Sequence, residues 1–198
     1  LIRKGVDLAM RLLGRQFVLG RTIEEALANG RERAARGYRH SYDMLGEAAL
    51  TAVDAQRYFA DYAHAIRALG AAAPGAGVRE GPGISVKLSA LHPRFARSQR
   101  ARVLAELVPR VATLARLARE RDIGFTIDAE EADRLDLTLD IVAALAADPA
   151  LAGWDGLGFV VQAYQKRARA TVDWLVALAR HHRRRLMVRL VKGAYWDA

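Results

Sequence analysis

The sequence contains no cysteine, and that absence removes several chemistries at once. No disulfide, thiolate nucleophile, iron–sulfur cluster or cysteine-bound zinc can be built from these 198 residues. A chain without thiols suits a reducing compartment. Lysine is nearly absent too, with only Lys4, Lys87, Lys166 and Lys192, so the 31 basic residues are overwhelmingly arginine. No apolar run approaches the roughly 18–20 residues of a spanning helix. The opening Leu-Ile-Arg-Lys-Gly lacks both an initiating methionine and the apolar core of a signal peptide, which leads us to expect a chain cut at its front. What is present is ordinary for a globular domain: 52% hydrophobic and 27% charged residues, enough for one sizeable core. The formal charge of +9 invites a nucleic-acid reading. Its distribution argues against one, because the arginines are scattered along Ala- and Leu-rich helical stretches. The densest run, Arg183-Arg184-Arg185, leads straight into an apolar segment and reads as a helix-to-strand corner. A solvated, arginine-biased surface is the simpler account, and binding of an anionic ligand stays open.

Hydrophobic periodicity divides the chain into alternating elements. Ile2, Val6, Ala9, Leu13 and Phe17 recur at helical spacing up to about Val18, and Thr22 three residues before Glu25 caps a second helix. A mixed segment, Tyr38 to Ala48, follows and holds a first strand. A long helical run covers about Thr51 to Leu69, and residues 70–83, dense in Gly, Ala and Pro, are expected to be loop. Strands are expected at Ile84–Leu88, Ile123–Asp128, Leu157–Ala163 and Leu186–Val191. Helices are expected at Ser98–Glu120, 131–147 and Ala168–His181. Short apolar strands separated by helices of three turns or more imply βαβ units and a parallel sheet covered on both faces.

In such folds ligands gather at the carboxyl ends of strands. Polar residues fall there in this chain: Asp43 and Glu47, Lys87 and Ser89, Asp128 and Glu130, Gln162 and Tyr164, Arg189, Lys192 and Tyr195. A doubly wound dinucleotide fold would carry a Gly-rich loop after its first strand. Here Gly81-Pro82-Gly83 and Gly156-Leu157-Gly158 precede their strands, and no phosphate-binding G-x-x-x-x-G-K-[ST] occurs. The expected architecture is therefore α/β, an incomplete (β/α)8 barrel represented by its first five strands. Residues 1–37 form a helical lead-in and residues 38–198 the barrel part. Three further readings arise from the residues. The acidic run Asp128, Glu130, Glu131 and Asp133 suggests a hard-cation site in a metal- or phosphate-using barrel lyase, although its last two members suit a helix start. Ser89 with His92-Pro93 suggests a nucleophile but lacks an orienting acid at motif spacing. His181-His182 reads as a basic helix end. No metal site is expected.

The segments YDMLGEAALT (42–51), GPGISVKLSALHPRF (81–95), FTIDAEEADRLDLTLDI (125–141), GFVVQAYQKRA (158–168) and RLVKGAYWD (189–197) resemble the flavin-dependent proline dehydrogenase family. The likeness is greatest to the proline dehydrogenase module of bacterial bifunctional enzymes, and it runs in order along essentially the whole chain. It implies a distorted (β/α)8 barrel with noncovalent FAD at the strand ends, oxidising L-proline to Δ1-pyrroline-5-carboxylate and passing electrons to a membrane quinone. It implies FAD contacts at Gln162, Arg189, Lys192, Gly193, Ala194 and Trp196. Lys87, Leu190 and Tyr195 are implied to bind substrate. Lys87, Asp128, Tyr195 and Glu47 are implied as active-site residues, Asp128 ordering the pocket and Glu47 acting as a gate paired with a late arginine. On physical grounds a lysine among apolar strand residues needs a partner or a ligand, and an internal ion pair with Asp128 is the structural alternative, compatible with a substrate role. Arginine at position 189 suits an isoalloxazine edge because its guanidinium stabilises the charge of the reduced ring.

The resemblance also implies that the barrel continues past Ala198 through three strands and a last helix. That region carries the paired carboxylate-binding arginines, so this polypeptide alone is expected to be weakly active at best. An NAD-dependent aldehyde dehydrogenase half is implied in the whole protein. The partners implied are L-proline, a quinone and the rest of the same polypeptide, with no nucleic acid. The location implied is the bacterial cytoplasm, peripheral at the inner membrane.

Overall fold

The structure, a computed structural model, describes residues 18–45 and 48–194. The chain divides into two compact units, Leu1–His40 and Ser41–Ala198. The helix expected from Ile2 lies, up to residue 17, outside the described residues.

In the first unit helix α1 spans Ile23–Ala35. The Thr22 hydroxyl accepts the Glu25 amide at 3.2 Å, while the Glu25 carboxylate accepts the amide of Arg21 at 2.9 Å. One of the helix's orphan donors is thereby satisfied, and the amide preceding the cap is tied down as well. The helix ends where Gly37 turns left-handed at φ 92°, with Tyr38 N–H donating to Arg33 O at 3.1 Å and Gly37 N–H to Ala34 O at 3.0 Å.

The second unit carries five strands: β1 Ser41–Asp43, β2 Gly83–Val86, β3 Gly124–Ile127, β4 Leu157–Gln162 and β5 Met187–Val191. They form one parallel sheet in the order β1-β2-β3-β4-β5. Between them run α2 (Ala52–Ala72), the single turn α3 (Gly77–Glu80), the single turn α4 (Leu88–Leu91), α5 (Arg100–Glu120), α6 (Leu135–Ala147) and α7 (Ala168–His181). Thr51 and Asp54 form a reciprocal capping box at the start of α2. The core lies between the outer sheet face and the helices. Ile84, Val86, Phe125, Ile127 and Phe159 are buried beneath Tyr62, Ile66 and Leu69 of α2, Leu107, Val111 and Leu114 of α5, and Ile141 and Leu145 of α6. Each large side chain sealed this way contributes about 1.5–3 kcal/mol.

Strand order distinguishes the two candidate architectures. A doubly wound sheet reverses direction at a switch point, whereas a barrel adds each strand beside the last. The described strands add sequentially. The sheet also curves strongly: Arg189 on β5 donates to the Ser41 hydroxyl on β1 at 3.3 Å. Four strand spacings on a flat sheet would be roughly 19 Å, beyond an arginine's reach. The concave side is therefore the inside of a barrel wall. Its floor is made of small residues, where Gly124 and Gly158 leave room for Met187.

Two local expectations are corrected. Residues 70–83 are not all loop: α2 continues through Gly70 to Ala72, and residues 77–80 make a helical turn. Alanine is the best helix former, and a Cβ on Gly70 would strike the Arg121 side chain, so glycine there serves close packing of α2. The strand expected to reach Leu88 ends at Val86, because Leu88–Leu91 turns helical with all four residues buried. The arginine run does form the α7-to-β5 corner. Arg183 adopts φ 51°, and Arg184 donates to Ala146 O at 2.9 Å, to Asp148 O at 2.6 Å and to Leu151 O. Ala146 lies in the last turn of α6, and Asp148 and Leu151 in the turn that follows it. Among the described residues, no helix is long and apolar enough to cross a membrane.

Candidate active site at the strand ends

Alternation along each strand sends Ser41 and Asp43, Ser85, Thr126, Val160 and Gln162, and Arg189 to the concave face, in register across the sheet. Lys87 and Asp128 continue that face just beyond their strands. The Asp128 amide donates to Val86 O at 2.9 Å, which extends the β2–β3 ladder by one bond and fixes where its side chain starts. The Lys87 amide donates to the buried Tyr62 hydroxyl at 3.2 Å.

Among the described residues, four charged side chains meet there. The Lys87 ammonium lies 2.5 Å from Asp43 Oδ2 and 2.9 Å from Asp128 Oδ2, with its side chain only 10% exposed. The other Asp128 oxygen, Oδ1, is 3.3 Å from Arg189 Nη2, which also donates to the Ser85 hydroxyl at 2.9 Å. Among the described residues two carboxylates thus face two cations, as partly buried charges require. The Lys87–Asp128 pair that stood as the structural alternative for this lysine is present, and Asp43 is a second partner.

At the next strand ends, Gln162 is buried and uses both amide atoms. Its Nε2 donates to Glu130 O at 2.9 Å and its Oε1 accepts the Ala194 amide at 3.0 Å. Ala163 N–H donates to Val191 O at 2.8 Å and Tyr164 N–H to Lys192 O at 3.1 Å. These bonds tie the segment 192–194 to the end of β4. Gly193 sits at φ 129°, and a Cβ there would stand 2.1 Å from the Tyr164 ring.

Glu130 links neighbouring strand ends. Its carboxylate accepts the Ser89 amide at 3.0 Å and pairs with Arg134 at 3.1 Å, and Arg134 itself lies over the Phe95 ring. Burial pushes the Glu130 carboxyl up, against the opposing pull of Ser89 and Arg134. Glu131 pairs with the same arginine at 3.2 Å. His92 is buried, its Nδ1 accepting the Arg94 amide at 3.1 Å and its Nε2 3.1 Å from Glu106. Accepting at Nδ1 puts the neutral ring's proton on Nε2, so His92 is set up to brace the loop.

Lys87, Asp128 and Arg189 therefore converge, and Gln162 with Lys192, Gly193 and Ala194 gathers beside them on β4 and β5. Leu190 does not join them. It follows Arg189 in β5, so alternation turns it to the opposite face, where it is 65% exposed. Glu47, Tyr195 and Trp196 lie outside the described residues. Sequence reasoning gave no role to Ser41, Ser85 or Arg134 and named Asp43 and Tyr164 only as polar residues at strand ends. For Ser41 and Ser85 a signal existed, since period-two spacing from Asp43 and Lys87 places them on the Arg189 face.

A curved, sequentially ordered parallel β/α sheet with a charge-balanced cluster at its C-terminal strand ends defines a β/α-barrel protein with a ligand site in the usual place. Residues 26–198 match the proline dehydrogenase family, and the chain belongs to it. It is 63% identical over 198 residues to the bifunctional protein PutA of Klebsiella aerogenes, covering all of this chain and 15% of that protein. It is 28% identical over 188 residues to proline dehydrogenase 1 of Bacillus subtilis, covering 95% of this chain and 54% of that one. A solved structure of a point variant of proline utilization A from Bradyrhizobium japonicum is similar at a TM-score of 0.85 and 59% identity, over 99% of this chain and 20% of that one. The chain thus spans about a seventh of the length of the bifunctional relatives it matches.

Proposed function

We propose that the protein containing this chain oxidises L-proline to Δ1-pyrroline-5-carboxylate, the first step of proline catabolism, using FAD and passing the electrons to a quinone. Residues 38–198 serve as the part of the barrel that carries the charged cluster, and residues 1–37 as its helical lead-in. The observation that carries this reading is the Lys87–Asp128–Arg189 constellation on the concave face of a chain that belongs to the proline dehydrogenase family.

The donor set fits a flavin. Three of the five N–H groups of Arg189 go to Ser41, Ser85 and Asp128, which leaves two for a ring edge. Gln162 keeps a second amide hydrogen and a second lone pair beyond its two backbone bonds, a pattern that suits a pyrimidine edge. Gln162, Arg189, Lys192, Gly193 and Ala194 would hold the group, together with Trp196. When bound, the flavin supplies the two-electron acceptor that no side chain here provides.

The chain's own residues do the rest. Oxidation of the proline ring takes a hydride from the carbon beside nitrogen and a proton from the nitrogen, leaving a C=N bond. Arg189 presents a fixed guanidinium where the flavin would sit and would stabilise negative charge on its ring. Lys87 offers a fixed cation to the substrate carboxylate, and Asp128 holds Lys87 and Arg189 in place. Tyr195 lines the proline pocket in this reading and Glu47 gates it, while Leu190, on the outer face, takes no part. A cytoplasmic location with peripheral contact at the inner membrane agrees with the quinone as acceptor. The NAD-dependent half belongs to the same reading through the bifunctional relatives.

The test is spectroscopic. The full-length protein should purify yellow, and anaerobic L-proline should bleach its flavin absorption, with recovery on adding a soluble quinone. A yellow protein that proline leaves unbleached, or a colourless protein activated by a divalent cation, overturns the reading.

A further inference from the structure

We propose that Asp43 is a positioning residue that pins the Lys87 ammonium in place, an inference that rests on the reading of this site as a proline-oxidising centre. Lys87 stands at the end of β2 with its side chain 10% exposed. The Asp128 carboxylate is divided: Oδ2 faces Lys87 and Oδ1 faces Arg189. Asp43 gives the ammonium a carboxylate of its own from the opposite flank, at 2.5 Å.

Register explains how it gets there. Asp43 pairs with Ser85, two residues before Lys87 on the same face, so its carboxylate leans diagonally along β2 toward the ammonium. Asp128 approaches from the β3 side. A flexible four-carbon stem is therefore gripped from both neighbouring strands, which fixes the direction of the charge as well as its presence. Catalysis is sensitive to that direction, since a displacement of about 1 Å can cost roughly a hundredfold in rate. Asp43 is also the more open carboxylate, with its side chain 34% exposed against 16% for Asp128, so replacing it threatens the fold less.

The experiment uses the full-length flavin-loaded protein and two variants, Asp43→Ala and Asp43→Asn, checked for fold by circular dichroism and for flavin content by absorbance. The first readout is acylation of Lys87 by acetic anhydride, followed by peptide mass spectrometry and scaled to Lys166 in the same sample. A lysine clamped as an ammonium reacts slowly. Asp43→Ala should raise Lys87 labelling severalfold, and Asp43→Asn, which keeps an acceptor oxygen, should fall between. The second readout is anaerobic flavin reduction by proline. Its limiting rate should drop roughly 10–100-fold in Asp43→Ala with a smaller change in apparent proline affinity, and Asp43→Asn should recover part of it.

Unchanged Lys87 labelling in Asp43→Ala overturns the proposal. So does a rate loss that merely follows loss of flavin or helicity in both variants. If wild-type flavin resists proline, the proline reading fails, and the labelling result still decides whether Asp43 holds Lys87.

Discussion

The Tyr164 ring occupies the space in which a side chain on Gly193 would begin, 2.1 Å from the ideal Cβ position. Position 193 is doubly restricted, by this contact and by its φ of 129°. Its neighbours Lys192 and Ala194 are the residues bonded to Tyr164 and Gln162. A substitution at 193 should therefore disturb the 192–194 segment while sparing the core.

Gly193→Ala is expected to loosen flavin retention on dialysis at least tenfold, with the thermal midpoint of the protein changed little. Pairing it with Tyr164→Ala removes the collision but not the φ penalty of about 1–3 kcal/mol, so retention should recover only in part. Full recovery in the double variant would show that the backbone conformation carries no cost.

Glu130 makes a pH prediction. Its carboxyl is pushed up by burial, so between the ordinary glutamate value and the higher folded value the native state holds more protons than the unfolded one. Stability then falls as pH rises through that window and stays lowered above it. Glu130→Gln stays neutral throughout. Thermal midpoints of the two proteins should run closest at pH values below about 4.3 and separate in favour of the glutamine variant as pH climbs. A gap that is constant with pH would contradict the burial argument.

The arginine corner separates structural from surface charge. Arg184 donates to three carbonyls in the last turn of α6 and the turn after it, whereas Arg183 is exposed beside it. Arg184→Ala should destabilise by about 2–3 kcal/mol in denaturant titration, because partly buried acceptors lose their donor. Arg183→Ala should stay within about 0.5 kcal/mol. Equal effects would mean that the run acts only through its total charge.

These elements also show what periodicity can reveal. Helix α7 begins and ends at the residues its apolar spacing indicates, Ala168 and His181, because its amphipathic pattern and its packing agree. Gly70-Ala71-Ala72 looks like loop in sequence and is helix in structure, since the Arg121 contact that makes glycine useful there is fifty residues away. The Lys87–Asp128 pair was legible from the cost of an unpaired lysine among apolar neighbours. The Asp43 contact was not, because it depends on the β1–β2 register, which no local pattern encodes. Leu190 is the opposite case: simple alternation against Arg189 sends it to the other face, and the likeness to relatives pointed elsewhere.

The strand order has a consequence for how the sheet is made. Each described strand after β1 pairs with the one immediately before it in the chain. A polypeptide emerging from the ribosome therefore meets an already formed partner as each of β2 to β5 appears, and no gap between these strands waits for a later one. Loop closure is confined to one crossover at a time, which keeps its entropic cost small. Assembly can proceed in the direction of synthesis, with Arg189 reaching back to Ser41 only after the wall between them exists.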